Sequence, residues 1–233
     1  MTFYGSNKET YTTGRELGRG GEGAVYDLRD HAALVLKLYN DPLTDERVSK
    51  LRLMAGMRSA GVEAYAAWPV DIVTDSAGVV CGFVMRKLTG FVPLHMIFSP
   101  MDRKKLFPDK GYNFLVHVAR NLATAFFKLH EGGLVIGDVN EGNILINASG
   151  LVAFIDCDSF QVQGSERYYF CEVGVPRYTP PELLKAGTFE QVVRTVNTDS
   201  FSMAILVFQL LFLGRHPFAG RHKLAAYIDE ETA

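Results

Sequence analysis

Cysteine is scarce in this chain. Cys81, Cys157 and Cys171 are odd in number, widely spaced and form no C-x-x-C pair. That pattern excludes a disulfide framework and a zinc site of ordinary spacing, and it points to a reducing compartment, the cytoplasm. Charge of one sign is also missing. The net charge of −2 gives no basic excess for nucleic acid and no polybasic run for a membrane surface. The opening MTFYGSNKET lacks the apolar core of a secretory signal. The longest apolar run, Met203 to Leu213, is broken by Gln209. A helix needs about 20 apolar residues to span a bilayer, so no span is predicted here. Being apolar on all sides, the run predicts a helix buried within a large domain. Repeats, low-complexity tracts and Ser/Pro-rich linkers are absent.

What is present is an ordinary globular composition, 48% apolar and 21% charged over 233 residues. That length can bury one large core or two small lobes. The first part reads as strands. YTTGRELGRGGEGAVYDLR holds two extended segments around a glycine cluster, and AALVLKLYN is a β-type run with a lysine inside it. WPVDIVTDSAGVVCGFVMRKL reads as two strands joined at Asp75–Gly78. Between them, LTDERVSKLRLMAGM has helical spacing. Beyond a short connection at residues 86–93 the chain turns helical. YNFLVHVARNLATAFFKLH predicts a long amphipathic helix stopped at Gly132–Gly133, followed by the short strands GNILIN and LVAFIDC.

Several residues in this layout suggest chemistry. Gly18, Gly20 and Gly23 stand in G-x-G-x-x-G, with Gly21 between them and Val25 just after. Glycines let backbone approach phosphates closely. Strand-like flanks on both sides favour a hairpin over phosphates rather than a dinucleotide-binding turn; taken alone, the cluster reads equally as a bare turn. Lys37 sits inside a strand, where burial requires an anionic partner. Within the next helix Asp45 and Glu46 are the available acids, and Glu46 is the better placed. Asp138 and Asn143 lie five apart, and Asp156 ends an apolar strand. An acid and an amide of this kind suit Mg²⁺, which leaves Asp138 to take a proton from a hydroxyl nucleophile. Each acid by itself also reads as a solvated turn residue.

In this order, the motifs resemble those of the eukaryotic-type protein kinase superfamily from about residue 11 onward. LGRGGEGAVY resembles the glycine loop and LVLK the strand motif V-A-I-K; GDVNEGN resembles H-R-D-x-x-x-x-N and DCD stands at D-F-G. GVPRYTPPE resembles the end of an activation segment, and TDSFSMAILVFQLLFLGRHPF a buried helix with its following H-P-F. GDVNEGN with DCDSF is further similar to a divergent bacterial branch found beside von Willebrand-type and phosphatase partners. The resemblance implies an α+β bilobal kinase fold: a small antiparallel-sheet N-lobe with one main helix (1–85), a hinge (86–93) and a helical C-lobe (94–233). Because family members continue with further helices, the C-lobe is expected to be incomplete. The implied activity is ATP- and Mg²⁺-dependent transfer of the γ-phosphate to a protein hydroxyl, serine or threonine favoured. In this reading Gly18, Gly20, Gly21, Gly23 and Val25 cover the nucleotide, and Lys37 contacts its phosphates and pairs with Glu46. Met85 is the gatekeeper, and the backbone of Lys87 and Leu88 meets adenine. Asp138 is the catalytic acid–base residue, and Asn143 and Asp156 hold the metal. Glu182 and Asp199 are structural, Asp199 anchoring the catalytic loop.

The departures are specific. Ile136–Gly137 replaces the His-Arg before the catalytic acid, so the receiver of an activation-loop phosphate is missing and activity independent of such phosphorylation is expected. Asn140 and Val175 replace a lysine and a threonine that ordinarily act together, which removes the usual support for a Ser/Thr acceptor. Asp158 replaces the glycine of D-F-G and is expected to be solvated or bonded to backbone, with the metal's outer shell as the other option. Cys157 is expected to pack rather than react. Together these changes leave a pseudokinase scaffold as the alternative function.

Overall fold

The computed structural model describes residues 1–6, 8–165, 167–221 and 227–228. It divides into two compact units, Met1–Thr89 and Gly90–Ala233.

The first unit is built on β1 (Thr2–Gly5), β2 (Thr10–Arg19), β3 (Gly23–Leu28), β4 (Leu34–Tyr39), β5 (Pro69–Thr74) and β6 (Val80–Arg86). All pairings are antiparallel, in the order β1-β2-β3-β4-β6-β5. β1 also pairs with β5, through Tyr4↔Thr74 and Gly5↔Val73, and so closes the sheet into a barrel. Alternation along the strands sends Tyr11, Leu28, Leu36, Val73 and Val84 to the barrel core. The opposite alternation puts Val25, Lys37 and Phe83 in register with one another on the outer face. At the closing seam, buried Asp71 accepts from the Tyr11 hydroxyl (2.9 Å) and the Ser6 amide (3.1 Å).

Two helices belong to this unit, α1 (Asp45–Gly56) and the short α2 (Ala60–Tyr65). The Thr44 hydroxyl caps α1 by accepting from the Arg47 amide, and Asp45 and Glu46 follow in the first turn, where the helix dipole favours acids. Fully buried Trp68 donates to the Met54 carbonyl (2.7 Å) and ties the end of α1 to the strand that follows.

At Gly23 the geometry demands glycine. A Cβ there would lie 2.2 Å from the Leu38 carbonyl oxygen on β4. Gly23→Ala is therefore expected to lower stability by about 1–3 kcal/mol, read as a fall in Tm. Around Gly18 nothing lies within 4 Å, so Gly18→Ala should leave Tm essentially unchanged.

The second unit opens with β7 (Phe91–Pro93), α3 (Pro100–Leu106) and the long α4 (Tyr112–Glu131). Leu115, Val118, Leu122, Phe126 and Leu129 form the buried stripe of α4, at helical spacing. Gly133, at φ 74°, turns the chain out of that helix. β8 (Ile144–Asn147) and β9 (Val152–Phe154) complete a three-stranded sheet with β7. A small hairpin, β10 (Val162–Gln163) and β11 (Tyr168–Tyr169), precedes α5 (Pro181–Leu184) and α6 (Val196–Leu211).

The structure corrects the expectation that the Met203–Leu213 helix is apolar and buried on every side. α6 begins earlier and turns a partly polar stripe inward: Thr198, Asp199, Ser202 and Gln209 are buried beside Ile205, Leu206 and Leu210. Phe212, just past its end, is 57% exposed. The stripe is tolerated because its groups are hydrogen-bonded. The Ser202 hydroxyl donates to the Tyr178 carbonyl (2.6 Å), and the Tyr178 hydroxyl donates to Gln209 Oε1 (2.9 Å).

Candidate active site

The loop between α4 and β8 carries Asp138, and Asp199 shapes it. This carboxylate, 1% exposed, accepts from the amides of Ile136 (2.7 Å, on Oδ2) and Gly137 (2.9 Å, on Oδ1). His130, at the end of α4, lies 2.9 Å from Oδ2 through Nε2. The Asp138 amide then donates back to the Ile136 carbonyl (2.9 Å), a three-residue turn centred on Gly137 at φ 75°. Such a turn strains any residue with a Cβ, and a Cβ here would also lie 2.6 Å from Cys171.

Beyond the turn, Asn140 organises the loop: its Oδ1 accepts from the amides of Gly142 (2.9 Å) and Asn143 (3.1 Å). Asn143 Nδ2 donates to Asp138 Oδ2 (2.9 Å) and, more weakly, to the Asp138 carbonyl (3.3 Å). That orientation leaves Oδ1 of Asn143 uncommitted. The Asn143 carbonyl accepts from the Ile155 amide (2.9 Å), placing the loop against the residue before Asp156. Asp156 itself has a left-handed backbone (φ 57°), and its carbonyl accepts from the Ser159 hydroxyl (2.8 Å).

Asp138 Oδ1 is buried and has no hydrogen-bond partner. Burial pushes this carboxyl above the ordinary range; the side-chain amides of Asn140 and Asn143 oppose the rise, the negative charge of Asp156 adds to it, and the positive charge of Arg194 opposes it. The outcome is a carboxylate with one oxygen held and the other bare.

In the first unit, Lys37 is 6% exposed, with Nζ 5.4 Å from the Tyr39 ring centroid and 5.8 Å from that of Phe83. Val25 stands opposite it in register. Glu46 lies exposed in the first turn of α1. Gly18, Gly20 and Gly21 have nothing within 4 Å of a hypothetical Cβ, so the side-chain space there is open, whereas Gly23 is explained by strand β4. The loop is closed by a Gly20 amide to Gly23 carbonyl bond (2.8 Å) and braced by Asn40 Nδ2 donating to the Gly21 carbonyl (2.9 Å). Met85 is buried on β6. The Lys87 amide donates to the Ala33 carbonyl (2.9 Å) and its side chain pairs with Asp27, so of the two residues assigned to adenine only Leu88 keeps an amide outside the sheet.

Asp158 is 3% exposed. That removes the solvated option: the short 3-10 turn Cys157–Ser159 carries it inward. Cys157 is buried, as packing requires. Arg194 is the residue near Asp138 that motif reading misses. It belongs to no motif, and the one hint in the sequence is the empty side-chain position at Gly137.

A glycine hairpin, a buried strand lysine, a loop Asp-x4-Asn and a strand-end aspartate, carried on a β-barrel unit followed by a helical one, are the features of a protein kinase domain. The family model described as protein kinase domain matches residues 11–232, and the chain belongs to that family. It is 43% identical over 220 residues to "Protein kinase YegI" of Escherichia coli O157:H7, covering 94% of this chain and 34% of that protein. It is 31% identical over 160 residues to "Serine/threonine-protein kinase PknD" of Mycobacterium tuberculosis, covering 65% of this chain and 22% of that protein. The chain thus spans about a third or less of the curated relatives it matches. Among solved structures, "ROP18 kinase domain in complex with AMP-PNP and sucrose" superposes with a TM-score of 0.62 at 16% identity, over 90% of this chain and 66% of that one, a likeness of fold. Among the described residues no helix is long and apolar enough to cross a membrane.

Proposed function

We propose that the chain transfers the γ-phosphate of ATP to a hydroxyl of a protein substrate, serine or threonine favoured, without needing phosphorylation of its own activation segment. The observation that carries this reading is Asp138: Oδ2 is held by Asn143 while Oδ1 is buried and bare. A carboxylate so placed orients a hydroxyl and takes its proton. The open side-chain space at Gly18, Gly20 and Gly21 leaves room for phosphate oxygens, and Lys37 supplies a buried cation. Leu88 would offer its amide to adenine, and Met85 and Val25 would flank the base.

Asn143 and Asp156 would hold Mg²⁺. The donors fit: both supply hard oxygen ligands, and Asn143 turns its Nδ2 to Asp138, which leaves its Oδ1 for a cation. A site of one or two protein oxygens completed by phosphate and water suits this ion. Once bound, Mg²⁺ neutralises charge on the phosphates during transfer. Independence from segment phosphorylation is supported by Gly137, which has no side chain to receive a phosphate and is walled in by Cys171.

The test is transfer of labelled phosphate from ATP, to the chain itself and to generic protein substrates. Lys37→Ala is expected to lower transfer at least about a hundredfold. Asp156→Asn should weaken ATP binding in Mg²⁺ but not without it, and phosphatase pretreatment should leave the wild-type rate intact. Wild-type transfer no faster than that of Lys37→Ala, with Mg-ATP still bound, would leave a nucleotide-binding scaffold instead.

A further inference from the structure

Arg194, in the segment leading into α6, is 2% exposed. Its peptide group is clamped by the buried side chain of Gln161: Oε1 accepts from the Arg194 amide (2.8 Å) and Nε2 donates to the Arg194 carbonyl (2.8 Å). The Gln161 backbone pairs in both directions with Val135, just before the turn that presents Asp138. The guanidinium donates through Nη2 to the Val173 carbonyl (2.6 Å) and lies 4.7 Å from the Phe189 ring centroid. Two glycines leave room for it. A Cβ on Gly137 would lie 3.2 Å from Nη1, and one on Gly174 would lie 3.3 Å from Nη2. Nε is buried with no hydrogen-bond partner, as is Oδ1 of Asp138. One residue therefore grips both ends of the 161–174 segment and stands against the residue before Asp138.

We propose that Arg194 is a positioning residue for phosphoryl transfer, a built-in cation that holds Gln161 and Val173 against the Asp138 loop with no added phosphate. The inference rests on Asp138 being the base of the proposed reaction. With almost no exposed surface, the guanidinium is closed to an incoming phosphoryl group, and its Nη2 is already bonded to the Val173 carbonyl within the chain. Its charge favours the ionised form of Asp138, whereas that of Asp156 disfavours it. Arg194 acts through Asp138 and touches no reacting atom.

The experiment compares wild type, Arg194→Met and Arg194→Lys in transfer assays. The Met variant should lose about 30-fold in kcat, with KM for ATP changed less than about twofold, because the loop shifts while the nucleotide contacts remain. Arg194→Lys keeps the charge without the planar fork, so its kcat should fall about fivefold. A folded Met variant with wild-type kcat overturns the proposal. If the Met variant does not fold, Arg194→Lys decides: a fivefold loss supports the proposal and wild-type kcat overturns it. If wild type itself transfers no phosphate, the proposed function fails separately. Amide exchange at Gln161, Val173 and Gly174 in the Lys variant then tests the grip: faster exchange there supports the inference and unchanged exchange overturns it.

Discussion

Replacing Asp138 with alanine is expected to lower kcat by about a thousandfold, within the usual range for loss of a positioned acid–base group. Binding of Mg-ATP should change little. Asp138 is bonded to Asn143, however, and a modest shift in metal dependence is expected as that amide loses its partner. The wild-type pH profile makes the prediction sharper. Burial, reinforced by Asp156, holds the Asp138 carboxyl above its ordinary value, against the pull of Asn140, Asn143 and Arg194. A base works only when deprotonated, so the rate falls as pH drops through this raised pKa. The acid limb should therefore lie above the ordinary aspartate value of about 4, and Asp138→Asn should abolish that limb along with the rate. An unchanged limb in Asp138→Asn would assign proton removal to another group.

The second large effect is expected at Asp199. Removing this carboxylate strands two backbone amides and His130 in the interior, at a cost of about 3 kcal/mol or more, which for a chain of this size lowers Tm by about 10 °C. Asp199→Ala should also lose most transfer activity, because the Gly137 turn is held by the bonds that disappear. Asp199→Asn keeps one acceptor oxygen and should fall between the two. Thermal unfolding and kcat, measured on the same preparations, check whether loss of stability and loss of rate move together.

The parts of this molecule that could be read from its sequence are those where chemistry restricts residue type. Lys37, Asp138, Asn143 and Asp156 are recognisable because the phosphate, proton and hard-cation chemistry proposed for them admits few substitutes, and their order along the chain points to the family. Strands and helices with clear alternation or helical spacing were legible for a similar reason. Other features depend on tertiary partners that leave no local signature. MTFYGSNKET suggests no particular element, yet part of it forms β1, defined by pairing with residues more than sixty positions away. The polar inward stripe of α6 is acceptable only because Tyr178 and the catalytic loop meet it. For Asp158 the sequence left solvent, a backbone bond and the metal's outer shell open, and only the short turn that carries it inward removes the first. Arg194 is hardest to foresee, because what gives it a place is the missing side chain at Gly137.

Closure of the first unit by Thr2–Gly5 has a consequence for handling the protein. An open sheet presents bare N–H and C=O groups along each free edge, and such edges recruit strands from other molecules. Here a single four-residue strand seals β2 and β5 at once. Trimming a handful of residues ahead of Lys8 would unseal both borders together and turn a self-contained ring into a template for intermolecular strand addition. The first few residues thus guard against self-association, and the place to look for damage from a short N-terminal deletion is the aggregate fraction.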